Sequence, residues 1–421
     1  MSARRDQQDA FGAYLAVTAA YWAFMLTDGA LRMLVLLQFH LMGFSPLQLA
    51  YLFVFYEVAG MVTNLCAGWL AARFGMTSTL FAGLALQIVA LIALTLVDSG
   101  WSVAGSVVFV MLVQGASGVA KDLAKMSSKS AVKVLAPATD GTLFRWVAIL
   151  TGSKNAVKGL GFLLGAALLA TIGFEASLWA MAAALTVILA AVAVWMPGGL
   201  PGGRKEAKFS EVFSKSANVN WLSAARVFLF GARDVWFVVG LPIYFHGVFS
   251  DGSPESNRAA FFLVGGFMAV WIVFYGVVQA NAPAILGARK RPESELVSAA
   301  RLWAWRLAVI PFGLACAATL LASPSFGLTA IQVFGLLIFG AVFALNSALH
   351  SYLILAFTKA DRVTMDVGFY YMANAGGRLI GTVLSGLTYQ MGGLPLMLGT
   401  ASAMVGMSAI LAGRLDPAVR A

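Results

Sequence analysis

Eight ionisable residues stand inside long apolar stretches of this chain: Asp28, Arg32, Glu57, Lys154, Lys158, Arg233, Asp234 and Arg378. A charge held at mid-bilayer costs at least ~2.5–3.5 kcal/mol, so each needs a partner or a hydrated cavity. Five are cations and three are acids, so complete internal pairing leaves a positive excess. Guanidinium forks and ammonium groups lining a water-filled space bind oxyanions, phosphate-like ones above all. The chemistry implied is capture of a small, strongly anionic solute by Arg32, Lys154, Lys158, Arg233 and Arg378. Asp28, Glu57 and Asp234 are then ion-pair or proton-coupling groups. The alternative is that Asp28–Arg32, one turn apart, and the neighbours Arg233–Asp234 are fixed pairs that only hold helices together.

Lys121, Lys125, Lys129 and Lys133 recur every four residues in GVAKDLAKMSSKSAVKV, which stacks their ammonium groups on one helix face. The stripe is either a solvated helix end or a funnel for anions, and Lys121 is counted with the binding set. Lys121, Asp122, Lys125, Arg145, Arg226, Arg301 and Arg306 lie near one interface, where long side chains snorkel their charged ends to water.

Other chemistries lack their residues. His40, His246 and His350 fall near span ends with no HExxH or other dense ligand cluster, so no metal site is expected. Cys66 and Cys316 stand singly in apolar stretches and read as packing residues. No G-x-S-x-G elbow and no Walker A loop occurs, which argues against an enzyme, a cofactor or transport driven by the chain's own ATP hydrolysis. The net charge of +10 is scattered between and inside spans and forms no basic face for nucleic acid.

The elements that position these charges must be membrane helices. The residues AVILMFWYC make up 60% of 421 positions and DEKR only 11%, too apolar for a water-facing surface. Each crossing of a core of roughly 30 Å takes about 20 apolar residues. Spans are expected near 12–40, 47–71, 77–97, 103–126, 143–170 and 174–196, then near 219–246, 259–282, 296–321, 327–356, 364–390 and 394–413. The expected fold is therefore all-α and polytopic, about twelve transmembrane helices in two halves, 1–196 and 219–421, joined by a cytoplasmic Pro/Gly/charge linker at 197–218. Arg and Lys crowd the loops on the side of the termini and linker, with only Arg258 opposite, which places both termini in the cytoplasm. Asp28, Phe39 and His40 recur at one constant offset as Asp234, Phe245 and His246, an echo expected of repeated halves around a central cavity. GFLLG at 161–165 and GRLIG at 377–381 carry the small-xxx-small spacing of closely packed helices.

GWLAARFG at 68–75 resembles the major facilitator signature G-x-L-x-D-R-x-G at Gly68, Leu70, Arg73 and Gly75, with Ala72 where that family has Asp. The resemblance implies a gating loop there, weakened by the missing carboxylate. TDGALRMLVLLQFH, GVAKDLAKMSSKSAVK, LTGSKNAVKGLGFLLG and RDVWFVVGLP are similar to the organoarsenical exporters of bacterial arsenic-resistance operons, the ArsJ family, over nearly the whole chain. That likeness implies an exporter of 1-arseno-3-phosphoglycerate, and the chain is expected to act as a monomer in a bacterial inner membrane. It also implies a companion glyceraldehyde-3-phosphate dehydrogenase that makes the ester from arsenate. Runner-up expectations are a carrier of another organic anion or sugar phosphate, and a non-transporting membrane sensor or scaffold.

Overall fold

Backbone polar groups in a bilayer must be satisfied within the chain, which favours helix throughout an apolar span. The computed structural model describes residues 2–74, 76–98, 100–135, 142–195, 216–287, 291–321, 325–358 and 363–416, with the backbone alone in 2–11, 13–14, 67–74, 76, 126–127, 129–135, 142–152, 195 and 363–365. All elements among them are helices: α1 (Ser2–Leu41), α2 (Pro46–Tyr51), α3 (Val54–Phe74), α4 (Met76–Leu94), α5 (Val103–Leu135), α6 (Thr142–Ile172), α7 (Phe174–Trp195), α8 (Ala217–Phe237), α9 (Gly240–Phe249), α10 (Pro254–Ile285), α11 (Glu293–Leu320), α12 (Phe326–Ala356) and α13 (Val363–Ala412). Of the expected linker only 216–218 lies among the described residues.

Among the described residues eleven segments are long and apolar enough to cross a membrane, and the last, Asp366–Ala412, has 47 residues. That is far more than roughly 30 Å needs at about 1.5 Å per residue. It folds back at Gly392 and Gly393, the latter at φ 59°, where only glycine is at ease. Tyr389 before the bend and Met397 after it both lie against Gly240, so the two arms run antiparallel. Counted by its two arms, the last segment brings the apolar crossings among the described residues to twelve in length and composition, and the bend falls between the expected spans 364–390 and 394–413.

Two spans are broken in ways the apolar pattern does not signal. Between α8 and α9 the amides of Val239 and Gly240 lose their helical acceptors, and Ser385 Oγ on α13 accepts both, at 3.2 and 3.1 Å. Between α2 and α3 the chain turns at Leu52 and Phe53, with α2 opened by a Ser45/Gln48 capping box. Gln390 accepts from the Leu47 amide at 3.2 Å, which ties α2 to the first arm of α13.

Burial separates central from peripheral helices. The apolar windows of α1 and of α8–α9 are 78% and 83% buried, against 33% for α7. Gly161 and Gly165 of α6 pack on the α1 backbone at Leu26 and Ala30, and Gly377 and Gly381 of α13 pack on α8 at Val227 and Gly231. The first helix of each set of six is therefore clasped by a glycine-faced partner, as the small-xxx-small motifs implied. Cys66 is half-buried, but Cys316, expected to pack, is exposed on α11.

Candidate functional site

The faces that α1, α3, α6, α8 and the first arm of α13 turn toward one another carry the charges. Asp28 and Arg32 share a face of α1 but do not pair. Lys158 of α6 reaches Asp28 Oδ2 at 3.3 Å and the Tyr56 hydroxyl donates to Asp28 Oδ1 at 2.6 Å, so both carboxylate oxygens are taken from other helices. Arg32 turns instead to Glu57 of α3, Nη2 to Oε1 at 2.8 Å, beneath the Phe53 and Tyr56 rings. The expected Asp28–Arg32 pair is thus replaced by two bonds between helices, while Arg233 and Asp234 do pair, Nε to Oδ1 at 2.6 Å.

Arg378 completes the arrangement. Its Nη2 donates to Glu57 Oε1 at 2.6 Å and its Nε to Asp234 Oδ2 at 3.2 Å. Arg32, Glu57, Arg378, Asp234 and Arg233 form one unbroken chain of charge from the first six crossings into the last six. Glu57–Arg378 is the link that passes between them.

Exposure within these pairs is one-sided. The acid side chains of Asp28, Glu57 and Asp234 are 1–2% exposed, whereas Arg32, Lys158, Arg233 and Arg378 keep 12–17%. A short carboxylate lies beneath and a long cation lies over it, so the accessible surface of the cluster is positive even where every acid is paired.

On the linker side of this layer α5 continues to Leu135, which leaves Lys121 and Lys125 well inside the helix. Lys121 is 8% exposed with its ammonium 4.0 Å over the Tyr56 ring. Lys125 bonds Asn64 Oδ1 at 2.9 Å and Asp122 at 3.3 Å, and Thr63 donates to the other Asp122 oxygen at 2.5 Å. The reading of the stripe as a solvated helix end fails for these two lysines. The Lys129 and Lys133 side chains lie outside the described residues. Snorkelling fails for Asp122 and for Arg226, which is 4% exposed, whereas Arg301 and Arg306 are both exposed. Lys154 is half-buried one turn before Lys158. The Arg145 side chain and the gating-loop residues Gly68, Arg73 and Gly75 fall outside what is described, apart from the helical backbone of 68 and 73 in α3.

At the end remote from the linker, His40 and His246 meet edge-to-face at 5.0 Å between centroids, closing α1 against α9. His350, expected near a span end, is wholly buried on α12. The neutral groups Tyr56, Thr63, Asn64, Ser347 and Asn374 were not legible as site residues, since one hydroxyl or amide inside an apolar span is ordinary. Arg226, Phe230 and Arg233 did carry a signal, at i, i+4 and i+7 on one face of α8.

Neither a family model nor a curated protein matches the sequence. Solved structures do match. A nucleoside transporter aligns at TM-score 0.67 and 14% identity over 96% of this chain and 98% of its own. A D-xylose-proton symporter aligns at 0.68 and 14% over 96% and 97%. A bacterial homologue of the iron transporter ferroportin, in an inward-facing state, aligns at 0.65 and 15% over 95% and 98%. At such identities the likeness is one of fold. The chain is a multi-pass membrane protein with the all-α architecture of the major facilitator transporters.

Proposed function

We propose that this protein is a secondary carrier that moves a small, multiply charged oxyanion across the membrane by alternating access of its two six-crossing halves. The observation that carries the reading is the one-sided exposure of the central pairs, acids enclosed and cations accessible. An arriving oxyanion competes with Glu57 for the Arg378 fork and so loosens the link between the halves when the site is loaded. Arg32, Lys158 and Arg233 are the other ligands, with Lys154 and Lys121 toward the linker side. Asp28, Glu57 and Asp234 hold the cations in place while the site is empty.

The cargo supported by the sequence likeness is 1-arseno-3-phosphoglycerate, exported from the cytoplasm of a bacterium through its inner membrane by a monomer whose termini and linker face inward. A glyceraldehyde-3-phosphate dehydrogenase supplies the ester. With a potential negative inside, a solute of about three charges gains about 7 kcal/mol per 100 mV on leaving, enough to drive export without a proton. Counterflow tests the class of cargo: vesicles holding the purified protein and loaded with an unlabelled phosphate ester are expected to concentrate the labelled ester, and neutral glycerol is expected not to compete. Absence of counterflow for every phosphorylated, sulfonated or carboxylated anion tried would sink the reading.

A further inference from the structure

Arg226 lies two turns before Arg233 on the same face of α8, toward the linker side. A guanidinium withdrawn from water ordinarily has a carboxylate beside it, and among the described residues none pairs with this one. Its bonds go to neutral groups. Nε donates to Asn374 Oδ1 at 2.9 Å, and Nη1 donates to the Ser347 carbonyl and hydroxyl oxygens, each at 3.2 Å. The guanidinium carbon stands 3.8 Å over the Phe230 ring and 5.0 Å from that of Tyr370. Gln279 of α10 in turn donates to the Ser347 hydroxyl at 3.4 Å. These contacts fix the fork and leave its charge uncompensated. One turn along α12 from Ser347, His350 is wholly buried and neither ring nitrogen has a hydrogen-bond partner.

Phe230 stands between Arg226 and Arg233. Its centroid is 3.8 Å from one guanidinium carbon and 5.1 Å from the other, which holds the two within about 9 Å of each other. An apolar ring flanked by two cations suits a solute with an oxyanion at each end of a short carbon chain. We propose that Arg226, oriented by Asn374 and Ser347, is a second oxyanion subsite that takes one end of a two-headed anion while Arg233 and Arg378 take the other. The proposal rests on the reading of the central cluster as an anion site and adds a preference for two anionic groups over one.

Calorimetric titration of the purified full-length protein separates the two ideas. The probes are 3-phosphoglycerate, with a phosphate and a carboxylate, and glycerol 3-phosphate, with the phosphate alone. The wild type is expected to prefer the first by at least about tenfold. Arg226→Gln should abolish the preference by weakening 3-phosphoglycerate and leave glycerol 3-phosphate within about twofold. Arg226→Lys, which keeps the charge without the fork, should retain part of it. Asn374→Ala leaves the charge in place but frees its orientation; it should shift the preference the same way and covers the case in which Arg226→Gln does not fold. Equal weakening of both probes, or of neither, overturns the subsite alone. A wild type that binds neither probe overturns the central reading and the subsite with it.

Discussion

Arg378→Gln is expected to lower the transport rate by at least about a hundredfold while the yield of folded protein stays within about twofold of wild type. The fold tolerates the change because each acid keeps a partner, Glu57 retaining Arg32 at 2.8 Å and Asp234 retaining Arg233. What disappears is the one fork that touches both acids and joins the two sets of six crossings. Glu57→Gln should behave differently. It leaves Arg32 without its acid and Arg378 with Asp234 alone, and an uncompensated buried charge costs about 3–5 kcal/mol, so thermal stability falls as well. The double variant removes one of the two cations but leaves Arg32 without its acid, so it should recover only part of the stability and none of the transport, a non-additivity read from melting and flux on the same preparations. Normal flux in Arg378→Gln would show that the guanidinium serves only to hold helices.

The charged positions of this cluster were legible in the sequence because an ionisable residue in a long apolar run has so few permitted places. The pairing was not. Asp28–Arg32 looked like a pair from its spacing, but the choice was made by Lys158 and Tyr56, which only the packing of α6 and α3 on α1 brings within reach. Depth along a helix was also misjudged: Arg226 and Lys121 lie close in sequence to polar segments, yet α8 and α5 run on past them and both are buried. The crossings themselves were legible to within a few residues. The breaks in the second and seventh crossings were not, because the compensating group for the latter, Ser385, lies far away in sequence.

The second large effect concerns glycine, where the sequence motif and the packing agree. A Cβ at Gly377 would fall on the Val227 carbonyl oxygen, and one at Gly165 on that of Ala30. Backbone has nowhere to yield at such a seam, so helices must part along their length and lose contacts worth several kcal/mol. Gly377→Leu and Gly165→Leu are each expected to reduce folded, detergent-stable protein to below about a tenth of wild type. Gly313→Leu is the control, since nothing lies within 4 Å of its added Cβ. If Gly377→Leu elutes and melts like Gly313→Leu, the close seam between α8 and α13 is not what holds the second set of crossings together.

Arsenic accumulation in inside-out membrane vesicles tests the central claim most directly. The vesicles are supplied outside with arsenate, glyceraldehyde 3-phosphate, NAD and the dehydrogenase, so that the ester forms at the face that was cytoplasmic, and trapped arsenic is measured by mass spectrometry. The predicted result is accumulation that needs the carrier and all four additions, and that disappears with Arg378→Gln. Accumulation from arsenate alone, or equal accumulation in vesicles lacking the protein, would contradict it.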